Sequence, residues 1–209
     1  MKNNLFISKI FAAFLVLLTF QFAAIAQKVS ESEIWKTQAK SLAQTYGLND
    51  KVADNLSKAY VEVRQEVYNK NKETDKEANP EEYKATTEKN QAEGQVKIKK
   101  EIDKILTGQQ AEEAVLLLGS FNSRWDSWQK ILVDFKLSDE KMASASKSLT
   151  EYMKVYIKAR KMADDSGNRL SGKTATELKL KLDNALAGIL SQTQKAEWDT
   201  ATQRKTKSK

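Results

Sequence analysis

The 209-residue chain contains no cysteine and no histidine, one proline and seven glycines. Without cysteine the protein has no disulfide, no thiol nucleophile and no cysteine for a lipid anchor. Without histidine it lacks the side chain that most often transfers protons near neutral pH or binds metals. Adjacent carboxylates such as Asp164 and Asp165 are typical of solvated helix faces, and no calcium-loop spacing occurs. We therefore expect no enzyme, no metal site and no cofactor.

Long apolar runs are absent except near the amino terminus. Lys2 and Lys9 precede an apolar run over residues 10–20, and Ala24-Ile25-Ala26 follows it. This pattern is typical of a secretory signal peptide, here residues 1–26, with cleavage after Ala26. The run is too short for a membrane span, although an uncleaved anchor is the alternative. We expect a periplasmic or secreted protein whose mature form has no membrane span.

The 35 basic residues exceed the 28 acidic ones, for a net charge of +7, and removal of a leader containing two lysines would lower it to +5. Both signs are interspersed along the chain, and export separates the protein from genomic DNA, so no nucleic-acid partner is expected. A modest positive charge instead favours acidic protein segments, anionic lipid or polysaccharide, through an attraction that salt would screen.

Apolar residues recur at helical spacing after residue 30, and no stretch alternates for long with a period of two, which predicts an all-α protein. Local signals divide the pattern into helices. The predicted starts are Ser30-x-x-Glu33, Leu48-Asn49-Asp50, Asn79-Pro80 and Leu137-Ser138-Asp139, and the predicted stops are Gly47, Gly119 and Gly167.

The segment Leu106-Thr107-Gly108-Gln109-Gln110 returns as Leu190-Ser191-Gln192-Thr193-Gln194, with apolar positions before it aligned at the same offset of 84. Each copy is a predicted capping box, in which the Thr or Ser side chain accepts from the third helical amide and the Gln reaches back. We predict two repeated helical-hairpin units, residues 30–119 and 120–203, of about four helices each, and a basic tail at 204–209.

Residues 167–174 satisfy the phosphate-loop pattern Gly-x4-Gly-Lys-Thr. A phosphate loop follows a buried strand, whereas a helical pattern precedes Gly167. The residues of this pattern also have a structural explanation, because Gly167 can end one helix and Thr174-x-x-Glu177 can cap the next. We expect no nucleotide binding at Gly167 to Thr174.

Aromatic residues recur at helical spacing in the second half of the chain. Core packing is the first interpretation of this stripe, and a partly exposed face that holds apolar partners is the second. Methionine and tyrosine on the next helix would suit adaptable binding. The candidate client-binding residues are Phe121, Arg124, Trp125, Trp128, Met142, Tyr152, Met153 and Tyr156.

At its two Leu-Thr/Ser-x-x-Gln motifs the chain resembles the Spy/CpxP group of periplasmic helical proteins. The matching residues are Leu106, Thr107, Gln110, Leu190, Ser191 and Gln194. The resemblance implies a thin helical cradle that binds unfolded proteins without ATP on a concave, basic and apolar surface. Members are usually dimers, and a duplicated chain could supply both halves, so a monomer or a homodimer is expected.

Two functions follow as expectations. The first is an ATP-independent holdase, or stress-response chaperone, that binds unfolded or apolar segments of envelope proteins. The alternative is a secreted non-catalytic binding or structural module, for a glycan or an envelope partner, with the aromatic stripes wholly in the core. A contiguous exposed apolar patch larger than about 400 Å² on a concave basic face would favour the first. A cleft that combines aromatic rings with convergent polar side chains would favour the second.

Overall fold

The computed structural model describes residues 30–73, 77 and 79–203, and this part of the chain is all-α, as predicted. It forms eight helices and no strand. The helices are α1 (Glu31–Thr45), α2 (Asp50–Lys72), α3 (Pro80–Ile105), α4 (Gly108–Leu118), α5 (Ser123–Asp134), α6 (Asp139–Asp165), α7 (Gly172–Ala187) and α8 (Gln192–Thr202). In these ranges no helix combines the length and the apolar character that a membrane crossing needs. The predicted signal peptide and basic tail lie outside the described residues.

Most helix starts are set by the residue that precedes them. The Ser30 hydroxyl accepts from the Glu33 amide at 3.3 Å, and the Asn49 side chain accepts from the third residue of α2 at 3.1 Å. Asn79 caps α3, with Pro80 at the first helical position. These predicted starts are confirmed, because a cap needs only residues within one turn of each other.

Glycines end helices where the backbone turns into the left-handed region. Gly47 follows α1 with φ 66°, and Gly167 follows α6 with φ 69°. At both positions an added beta carbon would have no neighbouring atom within 4 Å. Glycine is therefore favoured there by its positive φ and not by lack of space for a side chain. Gly119 caps the end of α4 with an ordinary negative φ. All three predicted stops are confirmed.

The two copies of the Leu-Thr/Ser-x-x-Gln motif begin their helices differently. The Ser191 hydroxyl accepts from the Gln194 amide at 3.3 Å, and the Gln194 side chain accepts from the Ser191 amide at 3.0 Å, which completes the predicted capping box. At the first copy the box is wrong, since the Thr107 side chain caps nothing. Gly108 lies there at φ 59°, so the right-handed first turn that would aim the hydroxyl at the helix is not formed.

The start of α7 also differs from its prediction. Ser171, not Thr174, is the capping residue, and its hydroxyl accepts from the Thr174 amide at 3.0 Å. Thr174 is therefore the third residue of the helix, and the predicted box with Glu177 is wrong. Residues 167–174 join the end of α6 to the first turn of α7.

One apolar core runs through all the described helices. Helix α1 packs against α2, α5 and α6. The segments before and after Gly119 therefore share one core. Buried hydrogen bonds join the same helices: Thr150 to Ser41 across α6 and α1, and Gln129 to Ser146 across α5 and α6, both at 2.9 Å. A buried polar group costs stability unless it is paired, so these bonds favour one arrangement of the helices.

Helices α2 and α3 form an antiparallel pair that closes tightly at Gly94. A beta carbon at Gly94 would lie 2.5 Å from Val67 Cγ2 and 2.8 Å from a ring carbon of Phe121. Phe121 itself has a positive φ of 42° in the turn between α4 and α5. The absent side chain at position 94 thus lets α3 approach α2 and leaves room for the Phe121 ring.

Candidate binding surfaces

None of the eight predicted client-binding side chains is exposed. Trp125, Tyr152, Met153 and Tyr156 are buried, with at most 7% of their surface accessible. The other four, Phe121, Arg124, Trp128 and Met142, are half-buried. This placement corresponds to the core interpretation of the stripe. A client could contact the buried four only if the helices separated, so a client-binding surface has to be sought elsewhere.

Four aromatic side chains form a cluster that joins α5, α6 and α8: Trp128, Tyr152, Tyr156 and Trp198. The Trp128 ring lies 5.3 Å from Tyr152 and 5.6 Å from Trp198, and Tyr152 stacks on Tyr156 at 5.6 Å between ring centres. The Arg124 guanidinium lies 4.5 Å from the centre of the Tyr156 ring. Such ring pairs and cation–π contacts stabilise a packed core beyond the area they bury.

The residues of the second motif connect helices as well as starting one. Leu190 is buried, and the Gln194 side-chain amide donates to the Phe135 carbonyl at the end of α5, at 3.3 Å. In the first motif Leu106 is buried while Thr107 and Gln110 are exposed. The motif residues therefore have a structural role at Ser191 and Gln194, as the sequence predicted for a helix-start device.

An apolar groove of about 370 Å³ lies between α6 and α7. We call it the α6–α7 groove. Its lining residues are Lys147, Ser148, Glu151, Tyr152, Val155, Leu178, Lys181, Leu182 and Ala185. Val155 is 51% exposed, and Leu178 is half-buried. Of the predicted client-binding residues only Tyr152 lines the groove. The sequence analysis therefore missed its other lining residues. The missed signal is Val155, an apolar residue on α6 that is not among the predicted client-binding residues.

Lysines border the α6–α7 groove on both helices. Lys147 on α6 and Lys181 on α7 are exposed, and neither has a carboxylate partner within the described ranges. The one acidic lining residue, Glu151, lies 3.8 Å from the Lys154 ammonium. The charge at the rim that is free to act on a partner is therefore positive.

A second concavity, of about 410 Å³, lies between α1, α2, α3 and α5. We call it the Arg64 cleft, after the guanidinium at its base. Arg64 Nη2 donates to Asp126 Oδ2 at 2.6 Å, with only 11% of the arginine side chain accessible. The guanidinium carbon lies 4.8 Å from the centre of the Trp35 ring and 5.1 Å from that of Phe121. Aromatic faces and a carboxylate thus compensate for its lost hydration.

The partners of Arg64 fix the charge states at the base of the cleft. Burial would lower the pKa of Arg64, but Tyr60 and Asp126 outweigh it and the pKa is raised, so the guanidinium stays charged. Burial raises the pKa of the Tyr60 phenol, which therefore remains neutral. Asp126 Oδ1 also accepts from the Gln38 amide at 3.0 Å. Arg64 therefore stays positively charged and Tyr60 stays neutral at the base of the cleft near neutral pH.

Polar groups without partners surround the mouth of the Arg64 cleft. Gln91 and Ser123 line it and make no side-chain hydrogen bond to another residue in the part of the chain that the structure describes, while Glu31 interacts electrostatically with Lys72. Asn71 uses its carbonyl oxygen to accept from Asn90 at 2.9 Å, which leaves its own amino group available. Tyr68 and Phe121 contribute half-buried rings.

The sequence carries a signal for this cleft that the apolar pattern obscured. Tyr60, Arg64 and Tyr68 follow each other at four-residue spacing on α2, so they form a row on one helix face. Other apolar residues at helical spacing on the same helix, among them Val63 and Val67, lie beside that row, and these two valines are buried. An arginine between two tyrosines at this spacing indicates a guanidinium held by rings.

Comparisons with known proteins return no matching family model, no matching curated protein and no matching solved structure. The resemblance to the Spy/CpxP group therefore depends on the two short motifs alone and stays a prediction. In the described ranges no group of three or more carboxylates is placed to hold a metal ion.

Proposed function

We propose that this is an exported, nucleotide-independent holdase that binds short apolar segments of partly folded envelope proteins in the α6–α7 groove. The observation that carries the proposal is that groove: exposed Val155 and half-buried Leu178 over a floor of buried Tyr152 and Leu182, between unpaired lysines. The leader-like residues 1–26 support a periplasmic or secreted location.

The size of the groove suits transient binding. Its volume of about 370 Å³ lies at the low end of the range of about 300–1,000 Å³ for small-molecule sites. It can accept a few side chains of an extended segment but not a folded surface. Because few apolar groups are buried on binding, the contact is weak and reversible, which allows a client to leave and fold.

The charge at the rim supplies a preference among clients. Lys147 and Lys181 lie on different helices, so an apolar segment flanked by aspartate or glutamate can place acidic groups near both. Opposite charges accelerate encounter more than they strengthen the complex, and salt screens them. We expect capture to slow as the salt concentration rises, while the apolar contact persists.

The internal duplication belongs to the same proposal. Gly47 and Lys136, 89 residues apart, both have positive φ, of 66° and 49°. Two residues after each of them a capping position, Asn49 or Ser138, precedes a long helix. Equivalent turns at equal offsets support an origin from one repeated unit, although the two copies now share a core.

Aggregation suppression tests the proposal. The mature chain, residues 27–209, is mixed at about fivefold molar excess with thermally unfolding citrate synthase, without nucleotide, and light scattering is followed. We expect the wild-type chain to suppress aggregation and Val155→Asn to suppress it much less, because the polar amide disrupts the apolar contact. Val96→Asn is the matched control, since Val96 on α3 is similarly exposed, at 57% against 51% for Val155, and lies outside the groove.

The charge contribution is tested with Lys147→Glu/Lys181→Glu in the same assay, where slower capture at low salt and little difference at high salt are expected. Absence of protection by the wild type would overturn the proposal. So would equal protection by the variants at positions 155 and 96, because binding would then not involve the groove.

A further inference from the structure

The Arg64 cleft is a second concavity that shares no lining residue with the α6–α7 groove. Its chemistry differs from that of the groove, because rings and polar groups line the same space. We propose that the Arg64 cleft binds an uncharged sugar ring, presented by a glycan of the envelope or its surroundings. This inference goes beyond the holdase proposal and does not depend on it.

The charges in the cleft argue for an uncharged ligand. Two basic residues, Arg64 and Lys130, and two acidic residues, Glu31 and Asp126, line it. Arg64 pairs with Asp126 inside the cleft, Lys130 forms an ion pair with Asp134 beside it, and Glu31 at the mouth interacts electrostatically with Lys72. An ionic ligand would therefore lose hydration without meeting an excess of opposite charge.

The unpaired polar groups argue for a ligand with several hydroxyls. Gln91 offers both a donor and an acceptor, Ser123 offers a hydroxyl, and Asn71 offers an amino group. A purely apolar ligand would cover these groups without satisfying them, at a cost for each. A hydroxyl donates and accepts, so a polyhydroxylated ring can satisfy all three without a fixed orientation of any single group.

The rings argue that the ligand also has an apolar face. Trp35 closes the back of the cleft with 3% of its surface exposed, while Tyr68 and Phe121 are half-buried along its sides. A pyranose ring combines a face of C–H groups with a rim of hydroxyls, which corresponds to this division of the lining. The cleft, at about 410 Å³, has room for one or two such rings.

Calorimetric titration of the mature chain tests this assignment. The probes are the neutral trisaccharides maltotriose, laminaritriose and triacetylchitotriose, with trigalacturonic acid as the charged comparison, each up to about 10 mM. We expect at least one neutral probe to bind more tightly than the acid. Tyr68→Ala and Gln91→Ala should each weaken it by at least about fivefold, or roughly 1 kcal/mol.

The matched control is Val155→Asn, which alters the other groove and should leave sugar binding unchanged. Urea unfolding of each variant confirms that the fold is intact, so a loss of binding is assigned to the cleft. Binding of none of the neutral probes, tighter binding of the acid, or affinities unaffected by either cleft variant would overturn the assignment. None of these results bears on aggregation suppression, so the two proposals fail separately.

Discussion

Arg64 on α2 donates to Asp126 on α5 at 2.6 Å, and the guanidinium lies against the rings of Trp35 and Phe121. The bond joins a helix that precedes Gly119 to one that follows it. It is therefore both the base of the cleft and one of the polar links that hold the two halves of the chain in a single core.

Removal of the Asp126 carboxylate should destabilise the protein strongly. Asp126→Ala leaves a mostly buried guanidinium without a counter-charge and Gln38 without its acceptor. We expect a loss of about 3 kcal/mol in the free energy of unfolding, measured by urea denaturation. The control is Asp134→Ala on the same helix, whose pairing with Lys130 is exposed and should contribute less than about 1 kcal/mol. Equal losses would contradict the role of the Arg64 pair.

Gly94→Ala should destabilise the α2–α3 pair, since the added carbon would meet Val67 and Phe121 at 2.5 and 2.8 Å. Overpacking of this kind costs about 1–3 kcal/mol. Gly172→Ala, where nothing lies within 4 Å, should be close to neutral. Thermal unfolding of both variants checks the contrast, and Val67→Ala combined with Gly94→Ala should recover part of the loss. A neutral Gly94→Ala would contradict the close approach.

The two helix-start motifs should respond differently to the same type of substitution. Ser191→Ala removes a capping box and should cost about 1 kcal/mol. Thr107→Ala removes a side chain that caps nothing and should stay within about 0.5 kcal/mol. Urea denaturation of the Ser191→Ala and Thr107→Ala variants measures both losses in the free energy of unfolding. A larger loss at position 107 than at 191 would show that the first motif is capped in solution.

Acid should weaken the link between α2 and α3. Hydrogen bonds from Lys97 and Lys70 lower the pKa of Glu66, and that from Lys70 lowers the pKa of Glu93, below the ordinary 4.5. A lowered pKa in the folded state contributes stability above the ordinary value, and this contribution is lost as the pH falls through the folded value. The free energy of unfolding should therefore decrease below pH 4.5, and less so in Glu66→Gln/Glu93→Gln. Identical pH profiles for the two proteins would contradict this network.

The helix boundaries could be predicted because their causes are local. Ser30, Asn49 and Asn79 act within one turn, and Gly47 and Gly167 act through their own backbone angle. The predicted capping boxes at Thr107 and Thr174 were wrong. The residue types there permit a cap, but a neighbouring residue decides the geometry. Gly108 alters the first turn after Thr107, and Ser171 begins its helix three residues before Thr174.

The binding surfaces could not be predicted to the same degree because they depend on which helices pack together. Trp125 and Trp128 lie one turn apart on α5, yet Trp125 is fully buried and Trp128 is half-buried. Asp126 lies between these two tryptophans in the sequence and pairs with Arg64 on α2, which is 62 residues earlier in the chain. Periodicity identifies the apolar face of a helix, but it does not say which neighbour covers it.

Site-specific crosslinking tests the central claim, that clients bind in the α6–α7 groove while the aromatic core stays closed. Because the chain has no cysteine, Val155→Cys and Val96→Cys each provide one thiol for a benzophenone label on an otherwise unchanged protein. With unfolding citrate synthase present, irradiation should crosslink the client at position 155 and scarcely at position 96. Equal crosslinking at the two positions, or none at 155 while aggregation is suppressed, would contradict the account.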